Sequence, residues 1–218
     1  MYFFLYFSNF LLLVATIVAF ITHNKYKNTP LKWIPYLLTY AFVTEIIAFY
    51  LGSNGIYNGW VYNLYVNAEY LFYGYVFYRF IKGEKWKRII LFSGIIYEAY
   101  FLISYLFLSD SWYTLQTYPF AVGQILMIIF IFTFIIQILS SNKILNIQDY
   151  LIFWIALGLL FYFIIPLPLN VGKTILIENK IPRKITRVLY LTQYFGNYLL
   201  YTSFIYGFIW HSKTYKSS

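Results

Sequence analysis

Residues 115–139 read LQTYPFAVGQILMIIFIFTFIIQIL, a run without a single Asp, Glu, Lys or Arg. As a helix it exceeds the roughly 20 residues that cross the hydrocarbon core of a bilayer, where lipid offers the backbone no hydrogen-bond partner and internally bonded structure is required. Working outward from it, six more such runs are found: Phe3 to Ile21, Leu31 to Leu51, Trp60 to Ile81, Trp86 to Leu108, Tyr150 to Leu169 and Val188 to Trp210. Turn residues separate them, including Asn28-Thr29-Pro30, Gly52-Ser53-Asn54-Gly55, Lys82-Gly83-Glu84 and Asn170-Val171-Gly172. The expectation is an all-α, polytopic transmembrane bundle of about seven helices, forming one domain over residues 1–218.

Composition points the same way. The 218 residues are 61% hydrophobic, 25% aromatic and 11% charged, too little polar material to cover a water-soluble globule. The first run begins almost at Met1 with no positive segment ahead of it, and is read as a retained helix rather than a signal peptide. Tryptophan is an independent check, because indole prefers the headgroup level. Trp33, Trp60, Trp86, Trp112, Trp154 and Trp210 all fall at or near the ends of runs.

The net charge of +9 is read as membrane topology and not as nucleic-acid binding, since the basic residues sit in the short connections. An N-terminus outside and a cytoplasmic C-terminus put Lys25, Lys27, Lys32, Arg79, Lys82, Lys85, Lys87, Arg88, Lys143, Lys213 and Lys216 in the cytoplasm. The second and fourth connections then carry no basic residue. The connection from Lys173 to Arg187, with Lys180, Arg183 and Lys184, runs against this bias and is placed outside, either translocated regardless or as a basic lid over the outer mouth. The expected location is the cytoplasmic membrane of a bacterium.

Three of the seven acidic residues, Glu45, Glu69 and Glu98, lie well inside the runs. A carboxylate in hydrocarbon is costly unless it faces the bundle interior, is paired or is protonated, so each is a candidate site residue. Counting inward from the outer ends at about 1.5 Å per residue puts them at roughly 9, 13 and 15 Å, a shared layer. Thr44, Asn67, Gln124, Gln193 and Asn197 fall in that layer too, and Asn63, Asn67, Tyr70 and Gly74 make a stripe on the third run. The expectation is an outward-facing acidic cavity lined by tyrosines such as Tyr65, Tyr73, Tyr194 and Tyr201, suited to a cation, an amine or a proton. The alternative is that the acids are packing groups, bonded across helices to Asn, Gln and Tyr.

Other signals are weaker. Pro166 and Pro168 loosen the end of the sixth run, and their freed carbonyls are placed at the same mouth. Gly74, Gly94, Gly196 and Gly207 are expected at close helix contacts. His23 and His211 are read as solvated. The chain has no cysteine, which excludes disulfides, thiolate metal sites, S-acylation and a cysteine nucleophile. No lysine lies in the middle of the last run to carry a retinal, and no His-Glu-x-x-His, Gly-x-Ser-x-Gly or phosphate-binding glycine loop occurs. No cofactor, metal or enzymatic activity is expected.

Phe153-Trp154-Ile155 with Gly158-Leu159-Leu160-Phe161-Tyr162, and Asn63-Leu64-Tyr65 with Glu69 and Phe77-Tyr78, resemble the seven-helix membrane modules found ahead of some bacterial sensor histidine kinases and as stand-alone proteins. The resemblance implies a sensor-like module. Only His211 to Ser218 stand where the kinase would follow, so output would need a separate membrane or signalling partner. A rival reading starts from Ala68-Glu69-Tyr70-Leu71-Phe72-Tyr73, which aligns with Gly196-Asn197-Tyr198-Leu199-Leu200-Tyr201. Parallel three-helix repeats joined by one linking helix build some small-solute transporters, here proton-coupled through the three glutamates. A helper subunit of another membrane protein is the third reading.

Overall fold

Apolar side chains on every face, with polar breaks at intervals, give a chain that is helix and short turn throughout. A computed structural model of the chain describes residues 2–108, 115–140, 149–168 and 183–217. Seven helices of 14 residues or more appear there: α1 (Tyr2–Thr22), α2 (Ile34–Ser53), α3 (Gly59–Phe80), α4 (Glu84–Ile103), α5 (Thr117–Leu139), α6 (Leu151–Ile164) and α7 (Arg183–Ser217). The described residues hold no strand.

The boundaries depart from the apolar runs where backbone chemistry intervenes. Pro30–Trp33 forms a 3-10 turn, whose Thr29 hydroxyl accepts from the Leu31 N–H at 3.2 Å, and α2 begins only after it. A π-helical turn, Ser104–Leu108, ends the fourth run. α6 stops at Ile164, just before Pro166, which lacks the N–H that would continue the helix. α7 is longer than its run at both ends.

Four helical stretches are long and apolar enough to cross a membrane: Phe3–Lys25, Pro30–Ser53, Glu84–Phe107 and Thr117–Leu139. α3 has the length but is diluted by Asn63, Asn67, Glu69, Arg79 and its tyrosines, and α6 is apolar but short. The outside of the bundle is apolar as well, with Phe10, Ile46, Leu91, Ile96 and Ile136 all more than half exposed. Contiguous apolar surface of this kind belongs in lipid, and the chain has the make-up of a membrane protein.

Packing follows a ring. α1 lies between α2 and α7, α3 between α2 and α5, and α6 between α5 and α7. α4 stands outside this ring of six, against α3 and α5. Glycine sets the closest seam, between α6 and α7. A Cβ on Gly158 would fall 3.0 Å from Ser203 Cβ and 3.1 Å from the Leu200 carbonyl, and one on Gly207 would fall 2.7 Å from Trp154 Cβ. Gly196 is in ordinary contact. Gly74 and Gly94, expected at close contacts, have open space where a side chain would go, because both turn to the outside of their seams. Gly123, which the sequence reading passed over, is the third tight position: its missing side chain makes room for the Tyr97 ring, 2.9 Å from where a Cβ would stand.

The connections at one end are tied down by specific bonds. Tyr26 donates to the Ala19 carbonyl at 2.6 Å and stacks on Phe208 of α7. Gln137 near the end of α5 clamps the α3–α4 turn, accepting from the Lys82 N–H at 2.7 Å and donating to the Lys82 carbonyl at 3.0 Å. In that turn Gly83 adopts φ +93°, a conformation costly to any residue with a side chain. His23 and His211 are at this end, each with a ring nitrogen near a backbone carbonyl, of Lys32 at 3.0 Å and Asp149 at 3.3 Å.

Candidate functional site

All six ring helices contribute to one cavity of about 350 Å³. α1 supplies Leu5, Ser8 and Asn9; α2 supplies Ala41, Thr44 and Glu45; α3 supplies Gly59, Tyr62, Tyr65 and Val66. Phe120 comes from α5, Tyr162 from α6, and Gln193, Tyr194, Asn197 and Tyr201 from α7. These residues lie near the starts of α1, α3 and α5, in the middle of α7 and in the later halves of α2 and α6, so the cavity is displaced toward one end of the bundle. α4 contributes nothing to it, as its place outside the ring requires.

Glu45 is the carboxyl of the cavity wall. Its Oε2 accepts from the Tyr62 hydroxyl at 3.4 Å, a long bond that leaves most of its acceptor capacity unused. No Lys or Arg is found among the described residues that line the cavity. The ion pair recorded among the described residues, Lys87 to Glu84 at 3.4 Å, is on the surface at the start of α4.

Glu69 lies one layer deeper, 2% exposed. Two cavity tyrosines cover it: Tyr65 donates to Oε1 at 2.8 Å and Tyr162 to Oε2 at 3.3 Å. Below this partition is a second void of about 10 Å³, lined by Glu69, Tyr70, Tyr97, Gln124 and Met127 among others. That is room for about one water. The hydroxyl of Tyr97, a buried residue, has no hydrogen-bond partner.

The shared layer therefore resolves into three places. Glu45, Gln193 and Asn197 line the six-helix cavity, with Thr44 beside them. Glu69 and Gln124 line the void beneath it. Glu98 and Asn67 form a pair of their own on the α3–α4 seam, where Asn67 Nδ2 donates to Glu98 Oε2 at 2.7 Å and Glu98 Oε1 is buried without a partner. Equal depth did not mean a common cavity, since α4 is outside the ring. Tyr65, Tyr194 and Tyr201 line the six-helix cavity, whereas Tyr73 is buried in the core behind it. Asn63 is occupied in holding the start of α5, accepting from the Gln116 N–H at 2.9 Å. Trp112 and the connection from Lys173 through Lys180 lie outside the described residues, as do the side chains of Arg183, Lys184 and Arg187.

Five polar lining residues were missed: Ser8, Asn9, Asn58, Tyr62 and Tyr162. Ser8 and Asn9 were legible as a polar pair in an otherwise apolar opening run, and Tyr62 sits one turn before Tyr65. Tyr162 stood within the stretch that carries the resemblance but was not marked as a site residue, being one tyrosine among 26. The seam of α1 with α7 closes this side: Asn197 Nδ2 donates to Ser8 Oγ at 3.4 Å and Tyr198 to the Phe4 carbonyl at 2.8 Å. Among the described residues no three His, Cys, Asp or Glu side chains come together as a metal site. No protein-family model matches the chain, and neither does any curated protein or any solved structure.

Proposed function

We propose that the protein spans a bacterial cytoplasmic membrane seven times, N-terminus outside, and binds a small cationic or protonatable ligand in the six-helix cavity as a sensor or receptor-like module. One observation carries the reading. The cavity joins a lightly bonded carboxyl, Glu45, to the rings of Tyr62, Tyr65, Tyr162, Tyr194 and Tyr201, with no basic side chain among its described lining. A carboxyl supplies charge and aromatic faces add cation–π attraction, strongest where water is displaced. At about 350 Å³ the cavity is at the small end of ligand sites, which run from roughly 300 to 1,000 Å³.

Orientation rests on charge. The connections at the far end of the bundle hold Lys25, Lys27, Lys32 and Lys82, and the α2–α3 connection at the cavity end holds no basic residue, which outweighs the basic stretch from Lys173 to Arg187 at the cavity end. The positive-inside bias then turns the cavity outward.

The test is heat stability of the detergent-purified protein with methylamine, choline, putrescine and tyramine, against neutral glycerol and glucose. A ligand of the folded state raises stability by mass action, by about 2.7 kcal/mol at a hundred times its dissociation constant. Stabilisation by an amine and not by the neutral compounds supports the reading. Equal response to both sets, or to none, refutes it.

A further inference from the structure

Beyond binding, we infer that the cavity is the outer end of an interrupted passage along α3, α5 and α6, so that the protein moves a small cation across the membrane, with Tyr65, Glu69 and Tyr162 as its gate. This rests on the outer cavity being the loading site.

Three spaces follow one another along the same helices. The outer cavity and the void beneath it share Val66 and Phe120, and the Tyr65–Glu69–Tyr162 bonds lie between them. Met127 lines the void. Seven residues further along α5, about 10 Å at the helical rise, Phe134 lines a third space of about 180 Å³ at the opposite end. Phe80, Lys82, Gln137, Tyr150 and Ile152 complete that inner cavity. What separates void from inner cavity is an apolar plug, Tyr73, Phe77, Phe130 and Phe134, all buried, with the rings of Phe77 and Phe134 6.0 Å apart.

The chemistry of the ends differs in the sense a carrier needs. The outer cavity has a carboxyl and no described basic side chain; the inner one has Lys82 and no described carboxyl. A cation is held at the first and released at the second. The passage follows the α3–α5 seam, where the ring divides into α1–α3 and α5–α7 with α4 outside both. Relative rocking of two such halves about a central site is a known route to alternating access.

The absence of cysteine allows a direct test in sealed vesicles of known orientation. Met127→Cys places a thiol in the void and Asn197→Cys places one in the outer cavity. Each is treated from either face with a membrane-impermeant trimethylammonium thiol reagent or its sulfonate counterpart. The expected result is that Met127→Cys reacts from both faces, and that adding Tyr162→Phe speeds its reaction from the outer face on the order of tenfold, the equilibrium worth of one hydrogen bond to a carboxyl. Reaction from the outer face alone, or from neither, overturns the passage. Asn197→Cys reads the cavity separately: failure to prefer the cationic reagent there counts against the loading site and leaves the Met127→Cys result to decide the passage. Gln124→Cys, lining the same void, replaces Met127→Cys if that variant does not fold.

Discussion

The hydroxyl of Tyr162 on α6 reaches Glu69 Oε2 on α3 at 3.3 Å, and so ties together two helices that are not neighbours in the ring. Tyr65, one turn back on α3, holds the other oxygen of the same carboxyl at 2.8 Å. The floor of the cavity is thus a bonded partition and not simply packed side chains.

Its two bonds differ in length, and the consequences follow. Tyr65→Phe is expected to lower unfolding stability by about 1–2 kcal/mol, and Tyr162→Phe by less, within the range for interhelical bonds in membranes. In a Glu69→Leu background both substitutions become near neutral. Denaturant titration in mixed micelles measures this, and equal losses in the two backgrounds would show that the tyrosines act through packing alone.

Glycine substitutions divide by seam. Gly207→Ala and Gly158→Ala drive a methyl into Trp154 and into the Leu200 backbone, and are expected to destabilise by about 1–3 kcal/mol. Gly123→Ala presses on the Tyr97 ring and is rescued by trimming that ring to Leu. Gly74→Ala and Gly94→Ala meet open space and relieve helix glycine, with an expected gain of about 0.5–1 kcal/mol. Melting temperatures of the five variants give the order.

These contrasts show what was legible beforehand. Among the described residues seven helices fall near the seven apolar runs, because a bilayer demands apolar length, and the departures at α2 and α6 lie at Pro30, Pro35 and Pro166. Although Glu69 lies beneath the cavity that Glu45 lines, position along each helix was countable, since each residue adds a fixed rise. Azimuth was not. Glu98 shares its layer with Glu69, yet which way a residue faces and whether its helix joins the ring depend on partners. A helix apolar all round gives no stripe to read. Gly123 and Tyr162 belong to the same class, because each is defined by the side chain it meets across a seam.

Orientation has its own readout. Green fluorescent protein fused after Ser218 is expected to fluoresce, and alkaline phosphatase at the same place to stay inactive, if the C-terminus is cytoplasmic. The α2–α3 connection, carrying no basic residue between Asn54 and Asn58, is expected to take impermeant label from outside through Asn54→Cys. The reverse pattern would turn the cavity to the cytoplasm.

Gln137 tests the inner end. Gln137→Ala removes both bonds to Lys82, at an expected loss of about 0.5–1.5 kcal/mol given their exposure, and Gln137→Glu removes only the donor to the carbonyl. Hydrogen exchange at the Lys82 amide is expected to accelerate in the alanine variant and much less in the glutamate one. Equal protection in all three would show that the turn holds without the clamp.

The most direct measurement is the amine-dependent heat stability of Glu45→Gln set beside Glu98→Gln. Both remove one carboxyl charge at similar depth, but only Glu45 lines the cavity; Glu98 is outside the ring with Asn67. The account predicts that stabilisation by the amine is lost in Glu45→Gln and kept in Glu98→Gln. Retention in Glu45→Gln, or equal loss in both, would contradict it.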